Sequence, residues 1–210
     1  KSEHREGLDP QQEKQWDSLY QRAAAFHDSG EAAQALTLYR QTLLIDDRYA
    51  ELHFRIGQLL FSQGQYEEAE KAFRRAVEED LAPLRILASM QQIVEQVAAA
   101  EQVPMIDFPA LLREAYLAHY DHAVFGKEYF PDHVHTNMKG YRLLVLALFD
   151  HLASQHIVIP DASWNSARIE SVNEAVIAGL DPEAEGYTFM NLGKVLDWAG
   201  KFEEAYNLFK

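Results

Sequence analysis

A set of matched residues recurs at a spacing of 34 positions near the start of the chain, and this repetition restricts the fold more than any other feature. Gly30, Ala35, Leu36 and Tyr39 stand opposite Gly64, Ala69, Glu70 and Phe73. Across the same offset Ala23 answers to Gly57, Phe26 to Leu60 and Asp46 to Asp80. Each unit reads as a helix, a turn centred on glycine and a second helix. Small residues at Ala23/Gly57 and Ala35/Ala69 mark where two helix backbones must approach closely, and Tyr39 and Phe73 are sized to fill the groove between neighbours. A single hairpin of this size cannot bury its own apolar stripe, so copies must stack. A third copy closes the chain: Leu192, Gly193, Gly200, Phe202, Ala205 and Phe209 fall at the positions of Ile56, Gly57, Gly64, Tyr66, Ala69 and Phe73. It breaks off at Lys210, inside its second helix. Residues 168–179 read as the last helix of another, less regular unit, stopped by Gly179 and Asp181-Pro182.

Over about residues 16–82 this pattern resembles the tetratricopeptide repeat, with Asp47 and Leu81 standing where that family usually carries proline. The resemblance implies an α-helical array whose surface binds a protein partner. The repeat residues themselves read as packing positions. Residues 1–15 form an N-terminal extension, and residues 158–210 form further, truncated tetratricopeptide-like repeats.

Between residues 83 and 157 the 34-residue pattern disappears. Pro83 opens an apolar-periodic stretch, Leu84 to Ala100, that reads as a helix. Val103-Pro104-Met105-Ile106-Asp107-Phe108 follows, short, apolar and partly β-branched, and reads as a buried strand ending in an acidic residue. A helix is expected over about 109–118, then an irregular stretch from His119 to Thr136. A last helix runs from Asn137 or Met138 to about Ser154, with Asn137 as its cap. This order belongs to an α/β domain, where loops after strand ends carry chemistry. A lone strand has no sheet, so its partners are expected upstream; a chain that starts at Lys1 and stops in mid-pattern reads as truncated at both ends.

The irregular stretch contains Asp132-His133-Val134-His135-Thr136-Asn137-Met138-Lys139-Gly140-Tyr141. Phe130 to Tyr141 resembles the last sequence block of SGNH (GDSL-type) hydrolases, in which an Asp and a His three residues later precede the final helix. The resemblance covers roughly 83–155 and implies that His135 is a general base oriented by Asp132. A serine hydroxyl is a poor nucleophile until a base takes its proton, and an imidazole held in one tautomer by a carboxylate suits that task. No Gly-Asp-Ser or Gly-x-Ser-x-Gly occurs: Asp17-Ser18 and Asp28-Ser29 follow Trp16 and His27. The serine is therefore expected before Lys1, and this stretch of chain by itself is expected to be inactive. The expected fold class is mainly α, with tetratricopeptide hairpins flanking the last strand, the catalytic-type loop and the final helix of an SGNH-like α/β domain. The implied activity is that of a serine esterase or acyl-transfer enzyme acting on an ester or O-acyl group without a cofactor.

Three other readings stay open. In the first, Asp132 and Asn137 only cap the last helix and His135 is an exposed loop residue. In the second, His119, His122, His133 and His135, with Asp121 and Asp132, offer the nitrogen and carboxylate ligands that zinc accepts. In the third, the chain is a non-enzymatic scaffold whose repeats bind a protein segment. Net charge of -14 argues against nucleic acid, since binding phosphates calls for clustered Lys and Arg. The absence of cysteine excludes disulfides and thiolate metal sites and leaves the compartment undetermined. The longest purely apolar run, Leu143 to Phe149, is far shorter than the ~20 residues of a membrane-spanning helix.

Overall fold

Local signals set the first helix boundaries. In the computed structural model, which describes residues 1–132, 134–198, 200 and 202–209, helix α1 (Pro10–Asp28) starts at a full capping box. Asp9 accepts from the N–H groups of Gln11 and Gln12 at 2.8 Å, and the Gln12 side chain accepts from the Asp9 N–H at 3.1 Å. Pro10 sits at the first helical position, where its missing donor costs nothing. Helices α2 (Ala32–Leu43), α3 (Ala50–Ser62) and α4 (Tyr66–Glu78) follow.

The two turns within the hairpins are copies of each other. At the end of α1, Gly30 has φ of +81° and the Glu31 N–H donates to the Phe26 carbonyl at 2.8 Å. At the end of α3, Gly64 has φ of +74° and the Gln65 N–H donates to the Leu60 carbonyl at 2.9 Å. This glycine-terminated helix end needs a left-handed residue, which only glycine supplies without strain. Beneath the turns, α1 packs on α2, α3 on α4, and α2 on α3. The shared core comprises Trp16, Ala23, Ala35, Leu36, Tyr39, Leu52, Ile56, Leu59, Leu60 and Ala69. A methyl group added at Gly57 would lie 2.7 Å from the Phe73 ring, so the glycine marks a true close approach.

By contact the chain divides into two units, Lys1–His135 and Thr136–Lys210. The first continues with α5 (Ala88–Ala100) and α6 (Phe108–His119). Helix α5 buries none of its residues and leaves Met90, Ile93, Val94 and Val97 exposed. The strand expected at 103–108 does not form, and no strand occurs among the described residues. A strand needs a ladder partner for its N–H and C=O groups, and the described chain offers no second extended segment paired with this one. Asp107 instead accepts from the Ala110 N–H at 2.9 Å and caps α6, with Pro109 in the first turn. The SGNH-like α/β layer expected around this strand is accordingly not seen, and the described elements are all helical.

The second unit holds α7 (Met138–Ser154), α8 (Ser166–Ala178), α9 (Pro182–Trp198) and α10 (Phe202–Phe209). Asn137 caps α7 by accepting from Lys139 and Gly140 N–H at 3.0 and 3.3 Å. Arg142 pairs with Glu170 at 2.6 Å and the Phe149 and Trp164 rings meet at 4.7 Å, tying α7 to α8 and to the loop before it. Helices α9 and α10 form a hairpin on the plan of α3 and α4. Gly200 has φ of +78°, Ala205 is buried, and Gly193 faces the Phe209 ring as Gly57 faces Phe73.

Candidate functional site

The loop after α6 is built around one buried phenol. Tyr116 is fully buried; its hydroxyl accepts from the Gly126 N–H at 2.7 Å and lies 3.1 Å from the Gly126 carbonyl and 3.2 Å from Glu128 Oε2. Burial, helped by the Glu128 charge, pushes its hydroxyl up to about 12. His122 sits among aromatic rings, with Phe61 and Tyr66 at 4.9 Å, Tyr116 at 5.8 Å and Tyr120 at 5.9 Å between centroids. Phe61 and Tyr66 flank the α3–α4 turn, so the loop is fastened to the second repeat. A second tie is the ion pair between Arg113 on α6 and Glu70 on α4 at 2.7 Å.

Farther along the same loop the structure brings together the two residues singled out by the Asp-x-x-His motif. Asp132 Oδ1 accepts from the N–H groups of Val134 at 2.8 Å and His135 at 2.7 Å. The other oxygen, Oδ2, lies 2.7 Å from His135 Nδ1. An ionised carboxylate only accepts, so Nδ1 carries the proton and, in the neutral ring, Nε2 keeps a free lone pair. Partial burial works to raise the Asp132 carboxyl, but the two backbone donors and the imidazole outweigh it and hold the group below its usual range. The side chain of His135 is 72% exposed and that of Asp132 18%. Among the described residues the capping role is divided otherwise than the first alternative requires: Asn137 caps α7, while Asp132 accepts from its own turn and pairs with His135.

Among the described residues of the zinc alternative, three histidines have partners of their own. His119 Nδ1 is held by the Ala115 carbonyl at 2.8 Å, His122 Nδ1 accepts from the Val124 N–H at 3.2 Å, and His135 is paired with Asp132. His133 lies outside the described residues. No cluster of three or more His, Asp or Glu side chains with metal-binding geometry occurs among the described residues.

A separate cluster occupies the surface shared by α1 and α3. Tyr20 and Phe54 hold equivalent positions in consecutive repeats. Arg55 lies over the Tyr20 ring at 5.8 Å, donates to Glu51 at 3.0 Å and stands 3.8 Å from Asp28. The Tyr39 hydroxyl approaches His27 Nδ1 at 3.5 Å. Burial raises the Tyr20 hydroxyl to about 12 against the pull of Arg55, and burial with the Arg55 charge lowers the His27 imidazole. This arrangement holds the Arg55 guanidinium between the Glu51 and Asp28 carboxylates and the face of Tyr20. Tyr20, Phe54 and Arg55 were not singled out in the sequence; the recurrence of an aromatic residue at 20 and 54, at the repeat offset, was the available signal.

Residues 26–93 match the family model described as tetratricopeptide repeat, covering the Gly30 turn, α2, α3, α4 and the start of α5. Over 59 residues the chain is 39% identical to the small glutamine-rich tetratricopeptide repeat-containing protein 2 of Mycosarcoma maydis. That alignment takes in 28% of this chain and 17% of the relative, so the chain spans less than a fifth of the relative's length. No solved structure matches. The chain thus carries a tetratricopeptide-repeat segment, and the family match does not extend to Asp132 and His135. No helix among the described residues is long and apolar enough to cross a membrane.

Proposed function

We propose that the chain is a protein-interaction scaffold in which the face shared by α1 and α3 holds a segment of a partner polypeptide. The observation that carries this reading is the recurrence of Tyr20 and Phe54 beside Arg55 on hairpins that match the tetratricopeptide repeat. Stacked helical repeats present equivalent side chains in rows along one surface, and such rows are how solenoids grip extended partners. Tyrosine and arginine also dominate binding energy at interfaces, because each offers a large contact area together with a polar handle. The test is photo-crosslinking with benzoylphenylalanine in place of Phe54, in cells that make the protein. A discrete adduct is expected, lost when Arg55→Glu is added and absent when the probe replaces the exposed Leu44. No discrete adduct at Phe54, or the same adduct from Leu44, would remove the proposal.

A second reading coexists with the first and is favoured by the Asp132–His135 geometry. Here the loop supplies the base and its orienting carboxylate for acyl transfer of the SGNH type. The 2.7 Å contact to Nδ1 supports it, because that tautomer leaves Nε2 to take a proton. A serine contributed from outside these 210 residues would lose its proton to His135 Nε2 as its oxygen adds to the carbonyl carbon of an ester or O-acyl group. His135 would then protonate the departing alcohol, and water or another acceptor would release the acyl group by the reverse sequence. Fluorophosphonate labelling of the protein extended to include that serine is expected to collapse in a His135→Ala variant. Labelling that is indifferent to His135 would rule this reading out.

A further inference from the structure

Before α1 the chain runs in an extended path across the loops that join the repeats. Ser2 Oγ accepts from the Glu51 N–H at 2.8 Å, at the N-terminus of α3, where the N-cap Tyr49 contributes no side-chain bond of its own. The Leu81 N–H donates to the Lys1 carbonyl at 3.1 Å. His4 Nδ1 meets Asp46 Oδ2 at 2.9 Å, and the Arg5 N–H donates to the same oxygen at 3.1 Å. The other oxygen of Asp46 accepts from the Arg48 N–H at 2.9 Å. The imidazole of His4 stands edge-on to Trp16 at 4.6 Å and tilted against Tyr49 at 5.1 Å. Gly7, with φ of +86°, turns the chain from this segment into the cap of α1.

The groove beneath the segment has the features of a recognition site. Asp46 is 0% exposed, and a carboxylate withdrawn from water needs donors to replace it. Only one of its three hydrogen-bonding partners, Arg48, comes from its own loop; the other two come from residues 4 and 5. The floor is aromatic, with Trp16 stacked on Tyr20 at 4.7 Å and against Tyr49 at 4.5 Å. Trp16 is 2% exposed, yet its indole N–H has no hydrogen-bond partner among the described residues. Buried N–H groups are nearly always paired. The segment therefore leaves one donor of the groove unused, and residues 3, 5, 6 and 7 lie exposed without contributing an apolar anchor. It is an incomplete ligand for the surface it covers.

We propose that the Asp46, Trp16 and Tyr49 groove is a docking site for an extended polypeptide that presents a histidine over Trp16 and its following backbone N–H to Asp46, with residues 1–6 as the resident occupant that a partner displaces. The proposal rests on the scaffold reading and adds the kind of segment the repeats select. A competitor with an acceptor placed for the Trp16 indole gains a bond that the resident segment does not make. Tethering gives the resident an effective concentration in the millimolar range, which sets the threshold that a partner must exceed.

The test uses the full chain with Trp164→Phe and Trp198→Phe, so that Trp16 is the sole tryptophan, in parent and His4→Ala forms. A fluorescent peptide of sequence KSEHREGL and its His4→Ala counterpart serve as probes. Expected are a red-shifted Trp16 emission in the His4→Ala chain with a retained cooperative melt, and binding of the KSEHREGL peptide to that chain at least tenfold tighter than to the parent. The counterpart peptide is expected to bind the His4→Ala chain at least tenfold more weakly. Unchanged Trp16 emission, equal affinity for the two peptides, or no binding of either overturns the proposal. Because the probe is the chain's own segment, the result is independent of whether an adduct forms at Phe54.

Discussion

Replacing Gly57 by alanine sets two effects of opposite sign against each other. Gly57 lies inside α3 with no unusual backbone angle, so helix propensity alone favours alanine by about 1 kcal/mol. The added methyl, however, would stand 2.7 Å from both Cδ1 and Cε1 of Phe73, about 1 Å inside ordinary carbon contact. Overpacking of this kind costs about 1–3 kcal/mol. The two together give a net loss of about 1 kcal/mol, read as a lower urea midpoint with an unchanged slope when helical circular dichroism is followed. The same contact couples the two positions. In a Phe73→Leu background the facing ring is gone, and the Gly57→Ala change becomes neutral or stabilising. A parent chain stabilised by about 1 kcal/mol on Gly57→Ala, or a penalty that persists in the Phe73→Leu background, would refute the claim that α3 and α4 meet at this glycine.

Other expectations follow from the same contacts. Gly64→Ala meets no atom within 4 Å, so its cost of about 1–2 kcal/mol is conformational, from forcing a side chain to φ of +74°, and urea midpoints should fall for it and for Gly30→Ala alike. Tyr116→Phe strips the Gly126 N–H of its acceptor and should cost about 1–3 kcal/mol, with faster amide exchange at Gly126; unchanged exchange would contradict the assigned bond. The Asp132 carboxyl is held below its unfolded value of about 3.9, so its contribution to loop order is complete above that value and is lost as pH falls through the lower folded value. An NMR titration of the Val134 amide, which donates to Asp132 Oδ1, should therefore show its acid step below about 3.9, and an acid step at or above that value would contradict the turn.

Close packing within the repeats was legible because it is local and recurs. Gly30 and Gly64 name the turns, Ala23/Gly57 and Ala35/Ala69 name the crossings, and the offset of 34 carries each assignment to the next copy. Segment 103–108 misled because β-branched and apolar residues describe what a strand can bear, whereas a strand exists only when a second one pairs with it. Asp107 followed by Pro109 was the better local signal, that of a helix start, and it prevailed. The Asp132–His135 contact was legible from spacing, since both residues lie in one turn. The pairing of His4 with Asp46 was not, because 42 residues separate them and only the path of the chain brings them together. Asp46 and Asp80 recur at the repeat spacing and each begins a tight turn, accepting from the Arg48 and Ala82 N–H groups at 2.9 Å. The recurrence alone gave no hint that a distant segment would complete both, with His4 and the Arg5 N–H on Asp46 and the Lys1 ammonium on Asp80.

The claim that the α1 and α3 surface holds a partner is tested most directly by hydroxyl-radical footprinting of the chain, free and saturated with the protein captured at Phe54. Oxidation of Tyr20 and Phe54 is expected to fall severalfold on binding while Met90 on α5 reacts as before. Unchanged oxidation of Tyr20 and Phe54, with protection of Met90 and its exposed neighbours on α5, would place the partner elsewhere and contradict the account.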